Sequence, residues 1–207
     1  MRSRSPDLIL ASASPRRREL LERLGLTLLV EPVEVDETPM AGEKPRAYAQ
    51  RLAAQKGQAA LDKLGAANPL AILTADTVVV LGDEILGKPD DRDHAESMLR
   101  RLAGHHHDVL TAYRVSFAGR TLERVVSTSV TFRSLDTAEI RAYLDSREWQ
   151  GKAGAYAIQG IAGAFASEVR GSFSNVVGLP VAEVLADLRA LQALPHYPPP
   201  AFGGIPS

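Results

Sequence analysis

The sequence predicts an α/β domain. Short apolar or β-branched runs alternate with helical patterns along most of the chain. A Gly-Asp pair between two such runs marks a tight hairpin. The 207 residues suffice for one full core. No internal repeat or linker divides residues 8–194, which read as a single domain. Residues 1–7 read as a loose start. Residues 195–207, with five prolines and two glycines, read as a disordered tail.

Composition removes several function classes. A net charge of −1 gives no basic surface for nucleic acid. The absence of cysteine excludes disulfides, cysteine-ligated zinc and thiol catalysis. No apolar run approaches membrane-span length, and Asp7 with the Ser-Pro-Arg segment interrupts any signal core. A soluble cytoplasmic protein is the expectation.

The first elements are Leu8 to Ala11, a buried strand, and a helix opened by Ser14 and Pro15 and stopped by Gly25. Arg16, Arg17 and Arg18 lie at that helix N-terminus, beside Ser12 and Ser14. Helix N-termini and arginine forks both favour phosphate oxygens, so the turn reads either as a polyphosphate pocket or as a capped surface helix. Thr27 to Val35 reads as a strand ending in Asp36-Glu37-Thr38-Pro39. Lys44-Pro45 opens a long helix to Leu64-Gly65, with Tyr48, Leu52, Ala59 and Ala60 inward. Lys56 shares that face, either snorkelling along it or reaching a buried anion.

Leu70 to Leu81 is the most apolar stretch. It carries Asp76, a carboxylate costly to bury without a partner or a metal. The Gly82-Asp83 turn pairs residue 81 with 84, which sets Thr77 across from Lys88 and turns Asp76 to the other face. Gly82 to Lys88 matches a phosphate loop as far as its lysine. Pro89 then stands where a Mg²⁺-binding hydroxyl is required, so that reading is rejected.

Asp91 caps a helix to Leu102 with Ala95, Met98, Leu99 and Leu102 inward. His105-His106-His107-Asp108 reads as a polar turn, because consecutive residues converge poorly on one metal ion. Strands follow from Val109 to Phe117 and from about Thr121 to Phe132, joined by a hairpin at Ala118-Gly119-Arg120. Asp136 and Glu139 have capping-box spacing before a helix to about Ser146. The Gly/Ala-rich stretch 151–165, with Gln159 as a buried-looking amide, reads as a close backbone approach to a ligand or as a packed strand-turn-strand. A polar turn from Gly171 to Pro180 leads into a last helix ending near Leu191.

Taken together, several stretches resemble the Maf family of nucleoside triphosphate pyrophosphatases. They are Ser12-Ala-Ser-Pro-Arg16-Arg17, Asp36-Glu37-Thr38, Ala75-Asp76-Thr77-Val78-Val79, Gly87-Lys88-Pro89, Lys152 to Gly160 and Gly171 to Pro180. They span roughly residues 8–191 in the family's order. The resemblance implies an elongated mixed sheet flanked by helices, in two lobes around a cleft, related to the inosine triphosphate pyrophosphatases. It implies hydrolysis of a nucleoside triphosphate to monophosphate and pyrophosphate with a divalent cation, Mg²⁺ or Mn²⁺. Asp76 takes the catalytic acidic position, as base or metal ligand. Arg16, Thr77 and Gln159 match the dTTP/UTP branch. Ser12, Arg17, Glu37, Lys56 and Lys88 match other cleft positions. Phe173 departs from the commoner tyrosine. The alternatives are a 7-methyl-GTP pyrophosphatase, opposed by Thr77 and Gln159, and a non-catalytic regulator of septum formation, opposed by the intact charged set. A homodimer is the family expectation; neither membrane nor nucleic acid is an expected partner. If Arg16, Arg17, Lys56 and Lys88 converge on the triphosphate, removing any of these charges costs activity with little loss of melting temperature.

Overall fold

The apolar run around Asp76 folds as the central strand of the sheet. The computed structural model describes residues 5–194 and 197–198; the expected tail at 195–207 lies almost wholly outside them, as do residues 1–4 of the expected loose start. The strands are β1 (Leu8–Leu10), β2 (Leu28–Val30), β3 (Ala71–Leu81), β4 (Glu84–Leu86), β5 (His106–Phe117), β6 (Arg120–Phe132) and β7 (Ala166–Arg170). The helices are α1 (Pro15–Glu22), α2 (Pro45–Leu64), α3 (Arg92–Leu102), α4 (Thr137–Asp145), α5 (Phe173–Val177) and α6 (Val181–Ala190). The sheet runs β2-β1-β3-β5-β6-β7, with β4 also on β3. β1 pairs parallel with both neighbours and all other pairings are antiparallel, so the sheet is mixed.

One topological fact makes the cleft. β5 covers one edge of β3 from Ile72 to Val80. The other edge is shared by β1, at residues 71–73, and β4, at residues 79–81. Between them residues 74–78 have no strand partner on that edge.

Alternation along β3 sorts its side chains between helical layers. Leu73 and Ala75 pack with Leu179, Val184 and Leu188 from the α6 side. Val79 joins α3 and α4 residues. Val78 and Val80 pack on Tyr48, Ala49 and Leu52 of α2, on the opposite face.

Local signals account for most boundaries. Ser14 accepts from the Arg17 amide, Asp91 from His94, and Asp136 and Glu139 complete both bonds of a capping box. The β3–β4 register is the expected one, with Leu81 opposite Glu84, but the ladder ends at Val79–Leu86, so Thr77 is not paired with Lys88 as the register alone suggests. Residues 82–87 form this hairpin rather than a phosphate loop.

Four elements differ from expectation. β2 stops at Val30 instead of Val35: Pro32 lacks an amide, and the last ladder-like bond is Glu31 N to Leu10 O. β5 starts at His106, so His106, His107 and Asp108 belong to a strand, and only His105 stays in the turn. The stretch 151–165 contains 3₁₀ turns at Ala153–Ala155 and Ile161–Ala164 instead of strands. Part of the presumed polar turn before Pro180 is α5, capped by Ser172.

His107 is 1% exposed, edge-on to Phe132 and Tyr156, with Nε2 2.8 Å from the Tyr156 hydroxyl. Burial, with the nearby His106, pushes its pKa down from 6.5 to about 4. The unfolded chain therefore takes up a proton that the folded ring refuses. Stability is full above pH 6.5 and falls as pH drops toward 4, by about 3 kcal/mol at the lower end. Thermal unfolding between pH 7 and 4.5 tests this. His107→Phe is expected to flatten the slope; an unchanged slope would assign the acid sensitivity to other groups.

Candidate active site

The cleft beside the open edge of β3 has a volume of about 810 Å³ and is lined by all nine residues singled out from the sequence. Because the gap exposes an edge, the cleft receives side chains from both faces of the sheet. Asp76 comes from the α2 face and Thr77 from the other.

On the α2 face, Lys56 places its ammonium between two carboxylates, 2.7 Å from Asp76 Oδ1 and 2.6 Å from Glu37 Oε1. This settles its orientation: the α2 turn that carries Leu52 into the core points Lys56 at an anion instead of along the surface. Asp76 is only 8% exposed. Its Oδ2 takes no hydrogen bond from the described residues. Burial pushes the Glu37 carboxyl up, but the Lys56 hydrogen bond and the Lys56, Lys88 and Arg17 charges override it and hold the group below its usual range. Lys88 stands 3.9 Å from Glu37 Oε2 and is largely exposed.

On the other face, Arg17 acts as a strut. Its guanidinium donates to Gly178 O at 2.8 Å, Ser12 Oγ at 3.0 Å, Ala75 O at 2.8 Å and Thr77 Oγ1 at 3.1 Å. Ala75 O lies on the unpaired β3 edge, so Arg17 fills part of the role of a missing strand. Thr77 Oγ1 also meets Thr111 Oγ1 at 2.9 Å and Gly178 O at 3.2 Å. Ser12 and Thr77 thus hold Arg17 in place, and these bonds argue against the expectation that its loss costs little melting temperature. Gly178 supports this arrangement with φ 132°, a conformation unfavourable for other residues.

Arg16 is committed differently. Its Nε donates to Val177 O at 3.2 Å, while its two terminal nitrogens have no acceptor among the described residues. Burial lowers its pKa against the pull of Glu19. Burial also lowers the pKa of Arg17 and of Lys152, and in both cases the Arg16 charge adds to the effect. Cations held together against their mutual repulsion form a site prepared for an anion.

Sequence reasoning did not select Lys152 as a site residue, although it begins the Gly/Ala-rich stretch. Its position depends on Gly154, which has φ 66°, packs so that a Cβ would lie 2.9 Å from Val79, and donates to Gly87 O at 3.1 Å. That bond ties the Lys152 turn to the segment carrying Lys88. Glu148 was also missed; its carboxylate accepts from Ile161 N at 2.9 Å and fixes the turn after Gln159. Gln159 itself is exposed rather than buried, with no hydrogen bond from the described residues.

Asp76 and Glu37 are the carboxylates able to hold a divalent cation here. Both converge on the Lys56 ammonium. Among the described residues, no three His, Cys, Asp or Glu side chains cluster to hold a metal. Two carboxylates completed by phosphate oxygens and water suit Mg²⁺ or Mn²⁺ better than a closed protein cage.

The fold and cleft define a class: an α/β protein whose open central strand sets paired carboxylates against a group of cations, with room between for a polyanion. Residues 7–191 match the model of the Maf-like protein family, and the chain belongs to that family. A protein of Anaeromyxobacter dehalogenans named dTTP/UTP pyrophosphatase is 53% identical over 189 residues, covering 89% of this chain and 94% of its own. One of the same name from Cereibacter sphaeroides is 49% identical over 192 residues, covering 92% and 97%. The solved Ham1 protein of Staphylococcus aureus matches with TM-score 0.44 and 14% identity, over 60% of this chain and 71% of that one.

Proposed function

We propose that this chain hydrolyses dTTP and UTP to the monophosphate and pyrophosphate. The observation that carries the reading is one cleft that brings the Lys56-bridged carboxylates, with Lys88 beside Glu37, together with the cations Arg16 and Lys152. The names of the relatives supply the pyrimidine triphosphate.

The free terminal nitrogens of Arg16, with Lys88 and Lys152, bind phosphate oxygens and stabilise the departing charge. Lys56 fixes Asp76 by Oδ1 and leaves Oδ2 without a hydrogen bond from the described residues. A water oxygen bonds to the α phosphorus while Asp76 Oδ2 accepts its proton. The bond from that phosphorus to the α,β-bridging oxygen breaks, and pyrophosphate leaves with the electron pair. Asp76 and Glu37 are the residues that would hold a divalent cation, which would supply additional charge neutralisation. The nucleotide substrate points to a cytoplasmic setting, and no helix among the described residues is long and apolar enough to cross a membrane.

A panel of nucleoside triphosphates with Mg²⁺ or Mn²⁺, scored for pyrophosphate against phosphate release, tests the reading. UTP and dTTP are expected to lead GTP and 7-methyl-GTP. Preference for 7-methyl-GTP would overturn the base assignment, and cleavage of none would overturn the enzyme.

Gln159 offers an amide that can donate to a pyrimidine carbonyl and accept from the ring N–H. Gln159→Ala is expected to cut the UTP-to-GTP ratio of kcat/KM by about tenfold or more. An unchanged ratio would remove Gln159 from base selection.

A further inference from the structure

Glu37 belongs to a loop, not to the sheet or a helix. Between Val30 and Pro45 the chain has no regular structure, so backbone ladders cannot fix the carboxylate that Lys56 shares. Its position has to come from side chains: Asp36 Oδ1 accepts from Thr38 N at 2.9 Å, Lys88 stands beside Glu37, and the rest of the bracing comes from α2.

Arg51 is the hub. Its guanidinium makes a two-pronged bond to Glu43, Nε to Oε1 and Nη2 to Oε2, each 2.7 Å. Nη2 also donates to Thr38 O at 3.1 Å, directly after Glu37. The fork therefore grips both ends of the segment 38–43. Glu43 Oε2 in turn accepts from Met40 N at 3.1 Å, closing the segment on itself. The guanidinium lies 5.4 Å from the centre of the Tyr48 ring, and the Tyr48 hydroxyl donates to Glu37 O at 2.8 Å. This pair is not a loose surface contact: the Arg51 and Glu43 side chains are 17% and 9% exposed.

We propose that Arg51, seated on Tyr48 and locked to Glu43, is a positioning residue that holds Glu37 in the cation site beside Asp76. The proposal rests on the reading that Asp76 and Glu37 bind a divalent cation with the triphosphate. Arg51 touches neither carboxylate of that site. It acts by fixing the backbone on which Glu37 rides, as partners behind a metal ligand commonly do. Only a planar fork can reach Glu43 and Thr38 O together; a lysine ammonium at the same place satisfies one of them.

The test uses Arg51→Gln, Arg51→Lys and, as a reference, Glu37→Gln in the full chain. Amide hydrogen exchange of residues 38–43 is measured without ligand. Binding of the α,β-imido analogue of UTP, which resists cleavage at the scissile bridge, is measured by calorimetry with Mn²⁺ and with Mn²⁺ chelated. Arg51→Gln is expected to speed exchange in 38–43 by about tenfold or more. It is expected to weaken Mn²⁺-dependent analogue binding about tenfold and leave metal-free binding unchanged. Arg51→Lys should fall between it and the parent, and serves if the glutamine variant does not fold. Parent-like exchange in 38–43, or fast exchange with parent-like Mn²⁺-dependent binding, overturns the proposal. If Glu37→Gln itself binds the Mn²⁺ complex like the parent, the metal reading beneath it fails instead.

Discussion

Asp76→Asn is expected to fold like the parent and to lose about a hundredfold or more in kcat. The structure separates the two effects. Asparagine keeps the shape of the side chain and an oxygen that Lys56 can reach, and Lys56 retains Glu37 at 2.6 Å. What disappears is the negative charge on the one acidic group of β3 that faces the cleft at the open edge. As a proton acceptor its replacement costs two to four orders of magnitude, while cations on the other wall continue to hold the phosphates. The loss should therefore fall on kcat, with a smaller change in KM for UTP. Steady-state kinetics on Asp76→Asn and Asp76→Ala, with thermal melting as the check on folding, decide the matter. A folded variant turning over within about threefold of the parent would sink the assignment.

Arg17→Ala is expected to destabilise the protein by about 4 kcal/mol, lowering the melting temperature by about 10 °C. Four acceptors lose a donor together: Gly178 O, Ala75 O, Ser12 Oγ and Thr77 Oγ1. Two of them are backbone carbonyls with little prospect of full hydration, one on the unpaired edge of β3. Activity is expected to fall as well, because α1, which carries Arg16, is then tied to this loop by side chain only through the Arg16 Nε bond to Val177 O. Arg17→Lys keeps the charge but not the planar fork and should recover less than half of the stability. Thermal and denaturant unfolding measure this directly. If Arg17→Ala melts within about 2 °C of the parent while substrate affinity collapses, the arginine is a ligand and not a strut.

The contrast between Arg16 and Arg17 explains what was hard to read. Two adjacent arginines at one helix N-terminus look equivalent in a sequence. In the fold, Arg17 spends its guanidinium on protein acceptors, while the terminal nitrogens of Arg16 have no acceptor among the described residues. Lys56 was ambiguous for a related reason: helical spacing gives its direction but not what stands opposite. Lys152 was passed over because a glycine-rich stretch reveals closeness without naming the neighbour, here Val79 and Gly87. Gln159 looked buried among small apolar residues, yet the turn closed by Glu148 carries it outward.

The sequence by itself determined what has a local cause. Asp91, Asp136 and Ser14 cap their own helices through bonds to amides three residues on, Gly82-Asp83 sets the β3–β4 register, and the inward face of α3 follows from its period. It also determined the residue types in the site. Only the tertiary structure decided how those residues divide their work. Arg17 meets Gly178 across 161 positions of chain, and Lys56 meets Asp76 across 20. The cleft exists because β1 and β4 occupy the same edge of β3 and leave residues 74–78 bare between them. The β4 pairing is local, but the β1 pairing and the Arg17 and Lys56 contacts depend on where separate elements dock, and no short-range preference encodes them.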